Sequence, residues 1–247
     1  ETSKDLALKQ TSITGDVLLS SGFISYLGAF TSQFRNEVIE SWKKFLKEHH
    51  IKFSENYSLQ HTCGNPIVIR DWIIQGLPSD NFSIDNAVIV SNARRWPLFI
   101  DPQGQALNWI KQKEKAKNNF VTLKMSDNNV IKSLEKAIQS GTAAIMEGVG
   151  EELDPSLEPL LLKQLFRTGG VPHIQLSENA VPYHKDFQFY VVTNHSNPHY
   201  LPEVSTKVTL VNFMITPKGL EDQLLGIVVA KEQKELEEKK AKMVVQN

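Results

Sequence analysis

The sequence has one cysteine among 247 residues and no apolar run as long as the roughly 18 to 20 residues that a transmembrane helix needs. Cys63 alone cannot form an internal disulfide, so the sequence fits a reducing compartment and excludes metal sites built on several cysteines. An excess of charge of one sign is also lacking, because the sequence has 27 Lys and Arg residues and 28 Asp and Glu residues. A net charge of -1 does not attract nucleic acid or an anionic membrane, and we expect neither as a partner.

What is present is the composition of an ordinary globular protein, with 40% apolar and 22% charged residues. A chain of this length can bury a large core, as one α/β domain or as two smaller domains. Its first residues, ETSKDLALK, are too polar for a signal peptide, and we do not expect secretion. Because the sequence begins at Glu1 and not at methionine, we expect a segment of a longer protein, although a processed or tag-cleaved protein would look the same.

Helical periodicity dominates the first part of the chain. Apolar residues recur at spacings of three and four through residues 16–48, which predicts two helices. Thr14, Gly15 and Asp16 form a helix-start signal, and Gly28 marks the expected break between the helices. The turn-rich stretch that follows predicts an irregular region before the main sheet.

From residue 87 onward, short apolar runs alternate with stretches of helical periodicity. The predicted strands are 87–90, 98–100, 120–123, 143–146, 187–192 and 208–213, and the predicted helices are 107–115, 129–139 and 157–166. This alternation is typical of βαβ units, so the expected fold class is α/β with a mainly parallel sheet covered by helices. Residues 169–186 predict a hairpin inserted before the fourth core strand.

The C-terminal stretch is highly charged. Nine of the thirteen residues in 230–242 carry a charge, and Val229, Leu236 and Met243 recur every seven residues. A single apolar row on a charged helix predicts either one strand of an antiparallel coiled coil or a solvated terminal helix. Both interpretations stay open at the level of the sequence.

The segment after strand 98–100 has the outline of a phosphate-binding loop. In a P-loop, glycines let backbone N–H groups converge on phosphate, a lysine supplies charge, and a Ser or Thr hydroxyl binds magnesium. The corresponding residues here are Asp101, Pro102, Gln103, Gly104, Gln105, Ala106, Leu107 and Asn108. Leu107 replaces the lysine, Asn108 replaces the hydroxyl residue, and the Asp101 carboxylate at the mouth would repel phosphate. A plain turn unrelated to P-loops fits the octet equally well.

Two later strand ends fit the same architecture. Strand 143–146 is followed by Glu147, where a Walker B strand carries acidic residues, but Met146 stands at the position of the metal-holding aspartate. Strand 187–192 runs into Thr193 and Asn194, a polar position that in such folds senses the γ-phosphate. Each signal is weak alone, but the three occur in the order that one architecture requires.

Five longer segments carry a family resemblance. They are GDVLLSSGFISYLGAFTSQFR at 15–35, IRDWIIQGLPSDNFSIDNAVIV at 69–90, RRWPLFIDPQGQALNWIK at 94–111, NPHYLPEVSTKVTLVNF at 197–213 and TPKGLEDQLLGIVV at 216–229. These segments resemble the dynein heavy chains, and in particular the fifth of the six AAA+ modules in the motor ring. The resemblance runs over essentially the whole chain, and two of the segments look more like the axonemal branch than the cytoplasmic branch.

The resemblance implies a degenerate AAA+ large subdomain with the three-layer αβα P-loop-type fold, N-terminal helices, an inserted hairpin and an extended C-terminal helix. It implies that residues 1–14 end the stalk coiled coil, that 15–228 form the subdomain and that 229–247 begin the buttress, with the helical lid largely absent. The segment would act as a non-catalytic spacer and relay in the ATP-driven microtubule motor of ciliary and flagellar axonemes.

The resemblance also implies the cofactors and partners. ATP and magnesium bind in other modules of the parent motor, so we expect no catalytic residue, metal or cofactor in this segment. The expected partners are the neighbouring AAA+ modules and the stalk coiled coil, and, through the parent chain, microtubules and other dynein subunits. In AAA+ rings an arginine near the last core strand reaches the neighbouring nucleotide, and Lys207 stands at that position here. Lysine supplies charge but no bidentate fork, so this trans contact would be weakened.

Two other functions stay open from the residues alone. An NTP-binding enzyme with an atypical loop would hold its metal with Asn108 and Glu147, while Lys111 supplied the positive charge. A free-standing interaction module would instead need both terminal helices to be docked. A zinc site is not expected, because the histidines and Cys63 lack the paired spacing of a structural site.

Overall fold

A computed structural model of the chain describes residues 3–117 and 120–232. Its helices are α1 (Ser3–Tyr26), α2 (Ser32–Glu48), α3 (Leu59–Cys63), α4 (Pro66–Ile74), α5 (Asn81–Asn92), α6 (Gln105–Lys117), α7 (Val130–Ser140), α8 (Glu158–Leu161), α9 (Pro202–Ser205) and α10 (Pro217–Glu232). Its strands are β1 (Pro97–Ile100), β2 (Phe120–Lys124), β3 (Ala143–Glu147), β4 (Leu165–Thr168), β5 (Val171–Leu176), β6 (Asn179–Pro182), β7 (Phe189–Thr193) and β8 (Thr209–Asn212). None of the helices in these ranges is long and apolar enough to cross a membrane.

The chain divides into two compact units. One comprises Glu1–Asn92 together with Ile215–Asn247, and the other is the continuous segment Ala93–Met214. In its described part the first unit is helical, whereas the second contains all the strands. The predicted domain boundary after residue 14 lies inside α1, and the predicted boundary at residue 229 lies inside α10. Both boundaries stay predictions, and the predicted heptad beyond residue 232 lies outside the described residues.

The centre of the α/β unit is a five-stranded sheet with the order β2-β3-β7-β1-β8. All four neighbouring pairs are parallel, as the alternation of strands and helices predicts. In this register Ile100 lies beside Thr193 of β7 and Asn212 of β8. The carboxyl ends of β1, β7 and β8 therefore meet at one edge of the sheet, where ligands bind in open α/β folds.

Helices cover both faces of this sheet. Successive residues of a strand point to opposite faces, so each strand supplies two sets of core side chains. On one face, Leu98, Met146 and Val191 are fully buried with Leu134 and Ile138 of α7. The other face carries an aromatic cluster in which ring centroids lie 5.5 to 6.3 Å apart; its members are Phe99, Trp109 of α6, Tyr190 and Phe213. The predicted three-layer α/β class is confirmed.

A second, antiparallel sheet with the order β4-β5-β6 follows α8. Strands β5 and β6 form the hairpin predicted for residues 169–186, and β4 adds a strand that the sequence pattern did not indicate. Ile174, Leu176 and Val181 are buried in the same cluster as α7. The small sheet thus completes the apolar layer on that face of the central sheet.

Two secondary-structure predictions are wrong. Residues 87–90 lie in α5 and not in a strand. Ala87, Val88 and Ile89 are fully buried, and a short apolar run has the same appearance in a buried helix as in a buried strand. The helix predicted for 157–166 ends at Leu161. Lys163 takes a positive φ of 50° and Gln164 N donates to Pro159 O at 2.9 Å, which closes the helix.

The helix start predicted at residues 14–16 is also wrong. Helix α1 runs through Gly15, where a Cβ atom would lie 2.4 Å from the carbonyl oxygen of Lys52. Asp16 does not cap a helix but accepts hydrogen bonds from Ser54 N at 2.8 Å and Ser54 Oγ at 2.6 Å. The apparent start signal is therefore a close packing contact. The predicted break near Gly28 is confirmed, because α1 ends at Tyr26 and α2 begins at Ser32.

Candidate functional site

The candidate site lies at the carboxyl end of β1, where the chain turns from the sheet into α6. Gly104 has a φ of +74°, a left-handed conformation that favours glycine, and a Cβ atom there would meet nothing within 4 Å. Gly104 N donates to Asp101 O at 3.3 Å, and Asn108 N donates to Gly104 O at 3.0 Å, which begins the helix. The strand, tight turn and helix of a phosphate loop are therefore all present.

The Asp101 side chain accepts hydrogen bonds from backbone N–H groups at the start of α6. Its Oδ1 accepts from Gln105 N at 2.8 Å and its Oδ2 accepts from Leu107 N at 2.9 Å. Only 1% of the residue is exposed. The sequence led us to expect this carboxylate at the mouth of the loop, but the side chain turns inward. The chain thus supplies its own anion to the first N–H groups of α6.

The environment of Asp101 has opposing effects on its pKa. Burial raises the pKa above its ordinary value of 3.8, and the surrounding backbone N–H groups of residues 104–107 act in the opposite direction, with a net increase. The main chain of Asp101 is also fixed, because its N–H donates to Thr193 O at 3.0 Å. The main chain of Asp101 is therefore held by β7 and its side chain by α6, as a structural group.

Lys111 and Glu147 form an ion pair beside this loop. Lys111 Nζ lies 2.6 Å from Glu147 Oε1, and the side chains are 33% and 20% exposed. The alternative NTP-binding enzyme would use Lys111 for positive charge and Glu147 for metal binding, but here the two side chains neutralise each other. Leu107 and Asn108 lie in the first turn of α6 and supply no positive charge. Among the described residues, no group of three or more His, Cys, Asp or Glu side chains is placed to hold a metal ion.

The two sensor-like residues differ in their environments. Thr193 is fully buried at the end of β7, and its Oγ1 accepts from His195 N at 3.3 Å. Asn194 is exposed. The parallel register brings Thr193 beside Ile100, and the Thr193 carbonyl oxygen accepts from Asp101 N at 3.0 Å, so Thr193 adjoins the loop.

Lys207 lies apart from the loop. It precedes the amino end of β8, so it is at the edge of the sheet opposite Asp101. Lys207 Nζ forms an ion pair with Glu158 Oε1 at 2.8 Å, and the side chains are 27% and 44% exposed. Lys207, the residue predicted to make the trans contact, therefore has an ion-pair partner within its own unit.

One buried polar pair, between β7 and α6, is not predicted from the sequence. Tyr190 Oη donates to Glu114 Oε1 at 2.7 Å, and Glu114 is only 4% exposed. Burial raises the pKa of Tyr190 well above its ordinary value, and the adjacent Glu114 adds to the effect. A signal existed, because Glu114 lies four residues after Ile110 and so continues the buried face of α6.

Comparison with known proteins identifies the family of this chain. Residues 70–247 match the family described as "ATP-binding dynein motor region", and residues 1–46 match the "microtubule-binding stalk of dynein motor". The chain belongs to the dynein heavy-chain family. Its full length is 53% identical to dynein axonemal heavy chain 3 and 47% identical to dynein axonemal heavy chain 1, both from Homo sapiens. It is also 40% identical, over 95% of its length, to the dynein alpha chain of the flagellar outer arm from Chlamydomonas reinhardtii.

These matches confirm the family resemblance and the similarity to axonemal members. The chain spans only about 5 to 6% of the length of these relatives. Within the family, the loop from Asp101 to Asn108 lies inside the part that matches the motor region, whereas α1 and most of α2 lie in the part that matches the stalk.

Proposed function

We propose that the chain is the nucleotide-silent fifth AAA+ module of an axonemal dynein heavy chain. In this proposal the module is a mechanical spacer and relay between the motor ring and the stalk. One observation carries the loss of nucleotide binding: the Asp101 carboxylate accepts hydrogen bonds from the N–H groups that a phosphate would need. The matched family is described as ATP-binding, whereas we propose that this loop does not bind nucleotide.

The surrounding charges support the same conclusion. A phosphate entering the loop would meet a buried carboxylate and no lysine at position 107. Lys111, one helical turn further on, is engaged by Glu147 at 2.6 Å. Binding ATP with magnesium would therefore require displacing Asp101 and breaking that ion pair, with only Asn108 to replace the usual hydroxyl ligand.

The relay role rests on where the terminal helices lie. The stalk match covers residues 1–46, which supports assigning the start of α1 to the end of the stalk. The proposed large subdomain, residues 15–228, overlaps this match and is supported instead by the motor-region match over residues 70–247. In the proposal, α10 leads into the buttress at 229–247. Both helices belong to the helical unit, so a movement of that unit would act on both. A module without its own ligand responds to the states of its neighbours.

The parent protein is proposed to be an ATP-driven microtubule motor of ciliary and flagellar axonemes. The relatives are axonemal heavy chains and a flagellar outer-arm chain, which supports this location. ATP and magnesium would bind in other modules. The proposed partners are the neighbouring AAA+ modules, the stalk, microtubules and other dynein subunits.

Calorimetric titration of the 247-residue chain with ATP and ADP in magnesium tests the silent loop. We expect no heat of binding at millimolar nucleotide. The Leu107→Lys, Asn108→Thr double variant restores the missing groups but keeps Asp101, so we expect it to stay silent. Adding Asp101→Ala to the double variant should produce binding. Micromolar binding by the unchanged chain would instead support an NTP-binding enzyme with an atypical loop, and the proposal would fail.

Lys207 keeps a proposed role as a weak trans contact to the nucleotide of the neighbouring module. Its ion pair with Glu158 must break, or be shared, when that contact forms. Lys207→Ala in a complete motor should therefore weaken nucleotide binding in the fourth module only modestly, by about 1 kcal/mol or less. An unchanged nucleotide affinity there would remove the role.

A further inference from the structure

The helical unit contains a cavity of about 380 Å³, lined by residues of α1, α2, α3 and α5. This volume lies in the range of small-molecule sites, which is about 300 to 1,000 Å³. Two charged side chains, Arg35 of α2 and Asp85 of α5, line the cavity. The wall also contains four apolar side chains: Phe23, Ile39, Leu59 and Phe82. The cavity thus combines apolar surface with one charge of each sign.

The Arg35 guanidinium keeps one nitrogen without a partner. Its Nε donates to Phe30 O at 3.0 Å, and its Nη2 donates to Gly28 O at 2.7 Å. Its Nη1 is buried and has no hydrogen-bond partner among the residues that the structure describes. A buried donor without an acceptor costs free energy. Because Arg35 lines the cavity, a ligand with an acceptor oxygen would satisfy this donor.

Asp85 supplies the opposite charge. Burial raises the pKa of Asp85 to about 6 and lowers the pKa of Arg35 to about 9, and the charge of each residue opposes the effect on the other. Both residues lie in the described part of the chain, where no direct ion pair joins them. The carboxylate is therefore free to accept a hydrogen bond from a ligand donor.

Two further polar side chains of the wall are already engaged. Tyr57 Oη lies 3.0 Å from Ser20 Oγ, within hydrogen-bond distance. Gln60 Nε2 donates to Asn81 O at 3.1 Å. These contacts fix both side chains at the edge of the cavity. The two charged residues therefore dominate the selection of a ligand.

An ion of either sign is disfavoured in this cavity. An anion would meet the Asp85 carboxylate and a cation would meet the Arg35 guanidinium, in a region where salt screens little. A neutral group that both accepts and donates matches the two residues. We propose that the cavity binds a small molecule with a primary carboxamide on an apolar group: the amide oxygen accepts from Arg35, and the amide nitrogen donates to Asp85. Such a ligand joins α2 to α5 and stabilises the helical unit.

Saturation-transfer NMR of the complete heavy chain with three probes tests the site. Benzamide, benzoate and benzylamine share one ring and are neutral, negative and positive. We expect benzamide to bind with a Kd of about 1 mM or lower, and the two ions to bind at least about tenfold more weakly. The Asp85→Asn variant removes the negative charge and keeps the shape, so it should bind benzoate at least about tenfold more tightly than the unchanged chain does.

Two further variants assign the binding to this cavity. Asn36 lines the cavity but is exposed, so Asn36→Trp should fill part of it and weaken benzamide binding at least about tenfold. The matched control Asp71→Asn removes an exposed carboxylate of α4 outside the cavity and should leave all three probes unchanged.

Four results would overturn the proposal. They are no benzamide binding up to about 10 mM, equal affinities for the three probes, a preference of the unchanged chain for either ion, and benzamide binding that Asn36→Trp does not weaken. A gain in benzoate binding by Asp71→Asn as large as that by Asp85→Asn would overturn it as well, because the selectivity would then follow net charge and not the cavity. The Asp101 loop takes no part in this binding, so these outcomes are independent of whether the loop binds nucleotide.

Discussion

Two regions of the molecule each bury one formal charge against backbone groups at a helix end. In the α/β unit, Asp101 is 1% exposed and accepts from N–H groups at the start of α6. In the helical unit, Arg35 is 2% exposed and donates to carbonyl oxygens just after α1, with Nε 3.0 Å from Phe30 O and Nη2 2.7 Å from Gly28 O. Each charge has the sign that the adjacent helix end favours.

The two regions differ in how far their contacts reach. The side-chain hydrogen bonds of Asp101 end at residues 105 and 107 of its own loop. Arg35 also donates from Nη2 to Asn86 Oδ1 of α5 at 2.7 Å, and its guanidinium lies 4.3 Å from the ring centroid of Phe82. Arg35 therefore joins three helices, whereas Asp101 closes one turn. Both buried charges stabilise the fold, but only Asp101 lies at the carboxyl edge of the sheet, where ligands bind in open α/β folds.

Replacing Arg35 with lysine should have the largest effect on stability. Lysine lacks the planar fork that reaches Phe30 O, Gly28 O and Asn86 Oδ1 together, so buried acceptors would lose their donors. We expect the free energy of unfolding to fall by about 3 kcal/mol in urea titrations. The control Lys43→Arg changes an exposed pair with Glu40 and should change it little. A loss below about 1 kcal/mol for Arg35→Lys would contradict the long-range role.

The neighbour of Arg35 predicts a dependence on pH. Burial raises the pKa of Asp85 from 3.8 to about 6, although the Gln60 hydrogen bond and Arg35 act to lower it. The folded state therefore binds this proton more tightly than the unfolded state. Its contribution to stability is complete below about pH 4 and is lost as the pH rises through about 6.

The Asp85→Asn variant isolates this contribution. Between pH 4 and pH 7 its free energy of unfolding should rise relative to that of the unchanged chain by about 2 kcal/mol. The unchanged chain must ionise the buried Asp85 over this range, whereas the asparagine of the variant stays neutral. Urea titrations of both proteins at each pH measure the difference. A difference that stays constant over this range, or that changes in the opposite direction, would show that Asp85 is not destabilised by burial.

Replacing Asp101 with alanine should have a smaller effect on stability. The change removes a cap from the first turn of α6, and caps contribute about 1 kcal/mol. Asp101→Asn keeps an acceptor oxygen and removes the charge, so it should lose less than Asp101→Ala. Thermal and urea unfolding of both variants measure these losses. A loss for Asp101→Ala as large as that for Arg35→Lys would show that the loop supports more than its own turn.

The parallel sheet can be predicted from the sequence because buried parallel strands are short apolar runs separated by stretches of helical periodicity. The same rule fails at residues 87–90, since α5 is buried on most of its surface and reads as an apolar run. Strand β4 has four exposed residues and no apolar alternation, so no pattern marks it. Its pairing with β5 is a tertiary contact that local sequence does not encode.

The candidate site is predictable in outline but not in its interactions. The missing lysine at Leu107 and the carboxylate at Asp101 are visible in the sequence, and both argue against phosphate binding. The direction of the Asp101 side chain is not visible, because an aspartate after a strand can point outward or cap the next helix. The pairing of Lys111 with Glu147 joins α6 to β3 and depends on the sheet register.

The Lys111 and Glu147 pair should have the smallest effect, and it tests whether Asp101 alone closes the loop. The two side chains are 33% and 20% exposed, so water and salt screen their attraction. We expect Glu147→Gln to lower the free energy of unfolding by about 0.5 kcal/mol or less, and less still at 1 M salt. Nucleotide should remain unbound in calorimetry, because Asp101 still accepts from Gln105 N and Leu107 N. Binding of ATP by Glu147→Gln would show that Lys111, once released, is enough to admit phosphate, and the ion pair would then be the element that keeps phosphate out of this loop.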